Sequence, residues 1–152
     1  MTVYAHLEEH CLDPAAELEN LMRKTSGDGA VVSFVGLVRD FSHGDQKVER
    51  LILEHHPRLT VASLEKIASD AVSRFNVSHV RLVHRCGDIG PREPIVFAAA
   101  ASAHRRAAFE AADYLMDRLK TEAVFWKREE GPSGSSWIEP TEADYADRNR
   151  WE

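Results

Sequence analysis

Hydrophobic residues return at intervals of three and four over two long stretches of this chain, with shorter apolar runs between and around them. In the first stretch Leu64, Ile67, Ala68, Ala71, Val72 and Phe75 fall on one stripe, which predicts a helix against a core, with Thr60 as its N-cap. In the second, Ala108, Ala111, Ala112, Leu115 and Leu119 do the same over 104–119, with Ser102 as N-cap. Asp13 followed by Pro14 opens a further helix to about Lys24, because aspartate accepts from first-turn amides and proline fits the first helical position. Gly27-Asp28-Gly29 then turns the chain. Residues 30–37, 48–55, 80–85, 95–101 and 124–128 read as strands, and a short one is centred on Trp137. A polar loop over 40–46 joins the first two strands, a tight loop over 87–94 the next pair, and a flexible glycine loop over 131–135 precedes Trp137. Helices separated by strand pairs with hairpin-length connections predict an α+β fold with a largely antiparallel sheet.

Length and charge narrow what such a fold can serve. The 152 residues suit one domain, 1–152, large enough to bury a core, with an acidic C-terminal tail from 138 that is partly helical or mobile. A net charge of -6 without a basic, aromatic-interleaved patch argues against nucleic acid as partner. The longest apolar run, 95–101, is far shorter than the ~20 residues a bilayer requires. Glu8 and Glu9 stand where a secretion signal would be apolar, so the expected setting is soluble and cytoplasmic, with no membrane partner. Cys11 and Cys86 belong to no paired motif and read as free thiols, Cys86 as a small buried one. The eight histidines show no ligand spacing. His55 and His56, adjacent on a strand, point to opposite faces, and His79 and His84 read as strand-surface groups, so no metal is expected.

Candidate chemistry gathers at the two ends of the 104–119 helix. His104, Arg105 and Arg106 crowd its first turn, where the helix dipole already places partial positive charge and acidic side chains would be stabilising. An anion held by first-turn amides and an arginine, phosphate above all, accounts for that placement; an exposed basic turn without ligand would look the same. At the other end Lys120 and Lys127 are embedded among Leu119, Val124, Phe125 and Trp126. Burial and a neighbouring cation lower an amine's pKa, and only the neutral amine serves as nucleophile or base. Two lysines with buried stems and solvated heads are the plainer alternative. Arg105 and Lys120 are about fifteen helical residues apart, roughly 22 Å at ~1.5 Å each, which exceeds a small metabolite. One site using both ends therefore needs two subunits of a symmetric dimer, and bringing Lys127 back to Lys120 needs a turn near Thr121-Glu122. Arg39, beyond Gly36 at the end of a hydrophobic strand, is placed to meet an anion or to pair with Asp40 or Asp45.

Several segments, taken in order, resemble a known family. They are Gly29-Ala30-Val31-Val32-Ser33-Phe34-Val35-Gly36 with Val38-Arg39, Leu53-Glu54-His55 with Pro57, Ser102-Ala103-His104-Arg105, and Leu119-Lys120 leading to Phe125-Trp126-Lys127-Arg128. From about residue 28 to Trp137 they resemble the large, catalytic subunit of molybdopterin synthase. The resemblance implies a hammerhead-like α+β fold and a homodimer of large subunits. A small ubiquitin-like sulfur-carrier subunit would dock at each end, making a heterotetramer, and insert its C-terminal Gly-Gly thiocarboxylate. The implied activity is that of a sulfurtransferase of molybdenum cofactor biosynthesis. Two sulfurs pass in turn to cyclic pyranopterin monophosphate, forming the molybdopterin dithiolene without metal or organic cofactor. It implies Lys120 and Lys127 as catalytic lysines, His104, Arg105 and Arg39 as the substrate-phosphate pocket, shared between subunits, and Phe34 and Met116 as its lining. Leu37, His56 and Arg92-Glu93-Pro94 depart from the family pattern but remove no matched catalytic residue. The alternative from another class is a non-catalytic dimeric module that binds a phosphorylated ligand or a protein tail.

Overall fold

The computed structural model describes residues 2–42 and 44–152; His43, inside the 40–46 loop, lies outside the described residues. In chain order the elements are β1 (Thr2–Glu8), α1 (Pro14–Lys24), β2 (Ala30–Leu37), β3 (Arg50–His55), α2 (Leu59–Arg74), β4 (His79–Arg85), β5 (Gly87–Ile89), β6 (Pro94–Ser102), α3 (Arg105–Glu122), β7 (Phe125–Gly131), β8 (Gly134–Ile138) and α4 (Glu142–Asn149). They form two four-stranded sheets, ordered β1-β4-β6-β2 and β5-β3-β7-β8. Every pairing is antiparallel except β1 with β4, which makes this the expected α+β fold. Among the described residues no helix is long and apolar enough to cross a membrane.

Apolar side chains cover both faces of the first sheet. Leu64, Ile67, Ala68 and Ala71 of α2 and Ala111, Leu115 and Leu119 of α3 pack on Val80, Leu82, Val96, Ala98 and Ala100. Leu12 and Leu21, from the α1 segment, cover Val83, Phe97 and Ala99 on the other face. A third cluster, Val38, Val48, Leu51, Leu53 and Ile89, joins the sheets, with Ile95 and Phe125 packed against it. Strands buried on both faces lose the alternation that marks a half-exposed strand, and so His84, expected at the surface, is instead buried.

Both expected N-caps on the long helices are displaced. α2 begins at Leu59, one residue before Thr60. The N-cap residue is Arg58, whose side chain makes no capping bond; the Arg58 and Leu59 amides are met instead by His56 Nδ1 at 3.1 and 3.0 Å, so His56, beyond the strand, does the capping. Thr60 is fully buried; its hydroxyl donates to the Val124 carbonyl at 2.6 Å and accepts from the His56 amide at 2.9 Å. Ser102 is the last residue of β6, and α3 begins at Arg105 behind an N-cap, His104, that makes no side-chain capping bond. The reversal after α3 falls at Ala123-Val124, just past Thr121-Glu122: Phe125 N donates to Ala123 O at 3.1 Å, and Val124 N donates to Ser63 Oγ at 3.1 Å. Two strands fall outside the expected set: β1, at Thr2–Glu8, and β5, which takes Gly87–Ile89 out of the expected 87–94 loop by pairing with Leu51–Leu53 of β3. The acidic tail folds into α4, opened by a capping box between Thr141 and Asp144. Trp151 beyond it packs edge-on to Phe75 and Tyr114 at 5.6 and 5.5 Å and donates from its indole nitrogen to Asp117 at 2.7 Å.

Candidate functional site

The two ends of α3 carry two distinct basic clusters. At its start the glycine before β2 is a steric requirement: Gly29 N donates to Ser102 O at 3.0 Å, and a Cβ on Gly29 would stand 2.5 Å from the Ala103 carbonyl oxygen. The strand lead-in can therefore lie directly against the residues that launch the helix. No acidic side chain occupies the first turn, and Arg105 and Arg106 are exposed. With His104, Phe109 and Glu110 they line an open cavity of about 510 Å³. Uncapped first-turn amides and two guanidinium groups on one cavity are groups that pair with a phosphate-like anion, set against the Glu110 carboxylate on the same lining.

At the other end Lys120 stands in the last turn of α3, one turn beyond Met116 on the same helix face. Lys127 is the third residue of β7, between Leu53 of β3 and Ile138 of β8. Burial first, and the Lys120 charge second, lower its ammonium pKa to about 8, with Asp144 of α4 pulling the other way. Beneath them the ring of His84 stacks on Phe125 with centroids 4.3 Å apart. His84 Nδ1 lies 2.8 Å from the Arg85 carbonyl oxygen, which can only accept, so Nδ1 carries the proton. Burial, above all, pushes the His84 pKa down to about 3; the Arg85 carbonyl opposes this, while Lys127 and Lys120 add to it. A neutral imidazole, an amine poised to titrate near pH 8, a second cation and a carboxylate thus share one end of the molecule. Such a group can accept, donate and relay protons beside a bound anion.

The structure brings Lys120, Lys127 and Met116 to one end of α3 and leaves His104 and Arg105 at the other. The helix is unbroken from Arg105 to Glu122, so the roughly 22 Å separation stands within one chain. Arg39 is exposed just after Val38, which belongs to the cluster joining the two sheets, and Phe34 is exposed on edge strand β2. Sequence reasoning missed His84 and Asp144. His84 sits in a strand whose coverage on both faces erased the pattern, and Asp144 reaches the site only through the docking of α4. Phe125, two residues before Lys127 and so on the same face of β7, is the nearest thing to a signal for His84.

A family model described as "MoaE protein" matches residues 7–122. The chain is 45% identical over 146 residues to the molybdopterin synthase catalytic subunit of Pseudomonas aeruginosa, covering 96% of this chain and 97% of that one. Its structure resembles the molybdopterin biosynthesis MoaE protein from Burkholderia ambifaria MC40-6, with a TM-score of 0.83, 38% identity, and 98% and 97% of the two chains covered. The same fold recurs in the protein–protein complex of subunit 1 and 2 of molybdopterin-converting factor from Helicobacter pylori 26695, with a TM-score of 0.68 at 20% identity over 93% and 90% of the chains.

Proposed function

The chain belongs to the MoaE protein family, and from that membership and the paired lysines we propose how its residues work as a molybdopterin synthase catalytic subunit. The activity is that of a sulfurtransferase in molybdenum cofactor biosynthesis. In this reading the sulfur donor is a small ubiquitin-like carrier subunit ending in a Gly-Gly thiocarboxylate, and the acceptor is cyclic pyranopterin monophosphate. A thiocarboxylate is already a good nucleophile. The protein's task is to place the carrier tail, hold an anionic pterin, exclude water and move protons as the cyclic phosphate opens.

Lys127 is the observation that carries this reading. An amine that titrates near 8 holds both protonation states in useful amounts near neutral pH, so it can give a proton and take it back. Lys120, exposed at the helix end, supplies the fixed cation that meets the carboxyl end of the carrier. His84 stays neutral between the lysines and the core, which spares the site a fully buried charge beside Lys127. Met116 and Phe34 supply apolar lining. His104 and Arg105, with the free amides of α3, hold the substrate phosphate, and Arg39 adds a second guanidinium to the pocket. Because one chain holds the two basic clusters roughly 22 Å apart, a complete site takes its phosphate seat from a second copy. Phe34, Val35 and Leu37 expose an apolar edge on β2, the kind of surface that a partner copy covers. Two copies with one carrier each make a heterotetramer.

The test is incubation with cyclic pyranopterin monophosphate and thiocarboxylated carrier, followed by mass spectrometry of the pterin. The expected result is a gain of two sulfurs. Pterin binding without any gain of sulfur would overturn catalysis and leave a binding module.

A further inference from the structure

Three side chains from separate segments converge beside the junction of the two sheets. Glu9 follows β1, His55 ends β3, and Cys86 sits between β4 and β5. One ligating atom of each lies within 4.8 Å of the other two. Their backbones are fixed independently: Cys86 N donates to Glu8 O at 3.0 Å, while His55 pairs with Phe125 and the neighbouring Leu53 with Gly87. Cys86 is buried, His55 half-buried and Glu9 exposed, so the set is walled on the thiol side and open to water on the carboxylate side.

We propose that Glu9, His55 and Cys86 form a divalent-metal site of zinc type, with water completing a tetrahedron. The donor set decides the class of ion. A thiolate with an imidazole suits borderline-soft zinc and its cobalt substitute, whereas magnesium and calcium require oxygen ligands. Tetrahedral bonds of ~2.0–2.3 Å set neighbouring donors about 3.5 Å apart, and the exposed Glu9 is the arm able to close that distance. On binding, the Cys86 thiol gives its proton to the buffer and its sulfur bonds the metal. The ion would tie the end of β1, in the first sheet, and the β4–β5 junction, where the chain passes from the first sheet to the second, to the end of β3 in the second, so occupancy stabilises the fold. No motif in the sequence announces the set, because its members lie 46 and 31 positions apart along the chain.

The test uses the full chain, stripped with a chelator and titrated with Co²⁺ and then Zn²⁺. One equivalent of Co²⁺ should give the intense near-ultraviolet band of a cobalt–thiolate bond. Zn²⁺ should displace it and raise the thermal midpoint. Cys86→Ser should abolish the band, while Cys11→Ser, which alters the exposed cysteine nearby, should keep it. His55→Gln, at a half-buried position, should weaken Zn²⁺ binding by at least tenfold, as even loss of an outer-shell partner does. A wild-type protein without the cobalt–thiolate band overturns the proposal. So does a band that survives Cys86→Ser, or Zn²⁺ affinity unchanged in His55→Gln.

Discussion

Lys127 ties pH to both activity and stability. Unfolded, its amine titrates near the ordinary 10.5; folded, near 8. Between those values the unfolded chain binds more protons, so this group makes stability rise with pH from about 8 to 10.5, and contributes no slope below that window. Denaturation midpoints should therefore climb more between pH 8 and 10 in the wild type than in Lys127→Met, and matching slopes would place the lysine in ordinary solvent. Sulfur transfer limited by the neutral amine should rise with pH and level off above about 8. Lys120→Ala should lose nearly all turnover with an unchanged circular dichroism spectrum, since alanine suits a helix end; turnover retained above a tenth would remove Lys120 from the chemistry. The sequence made both lysines visible through their apolar neighbours. It did not make His84 visible, because β4 is covered on both faces and a polar side chain there follows no period.

Two elements hold these residues in place, and each yields its own test. The Val124 carbonyl and amide, at the reversal between the lysines, are held by Thr60 and Ser63 in the first turns of α2. Thr60→Val keeps the shape but leaves the partly buried Val124 carbonyl and His56 amide without their hydroxyl, a loss of about 1 kcal/mol for each unpaired group. Lys127 should then be misplaced, so Thr60→Val is expected to lower both the denaturation midpoint and kcat, while Thr60→Ser retains most of both. Equal kcat in Thr60→Val and wild type would show that the clamp does not position Lys127. The start of α3 presents the opposite balance, function against local stability. Arg105→Glu places a favoured charge at the helix start and should stabilise the fold by about 0.3–1 kcal/mol. The same variant should lose pterin binding in calorimetry, and intact binding would move the phosphate seat elsewhere. The helices were legible because their stripes recur over many turns. Their caps were not: His56 can act as a cap only once β3 has ended, and Ser102 is held in β6 opposite Ala30, its hydroxyl donating to Asn76 O at 2.9 Å and meeting only the His104 amide, ahead of the first turn, at 3.3 Å. Strands β1 and β5 owe their existence to partners distant in sequence, which no local pattern records.

At the scale of the whole molecule, the length of α3 sets the strongest demand. If one small-molecule site uses Lys120 and Arg105, and a straight helix keeps them roughly 22 Å apart in each chain, then two chains must contribute to each site. Mixing inactive Lys120→Ala protein with inactive Arg105→Ala protein, under conditions that exchange subunits, creates heterodimers. One of the two sites in each heterodimer combines a wild-type Lys120 from one chain with a wild-type Arg105 from the other; the second site carries both defects. Random reassortment makes half of the dimers mixed, so about a quarter of wild-type activity should return. The magnitude separates this arrangement from its rivals: sites confined to single chains would recover nothing, because every chain in the mixture lacks one of the two groups. If exchange verified by native mass spectrometry restored no activity, the shared site would fail, and Lys120 and Arg105 would have to be brought together within one chain or belong to separate functions.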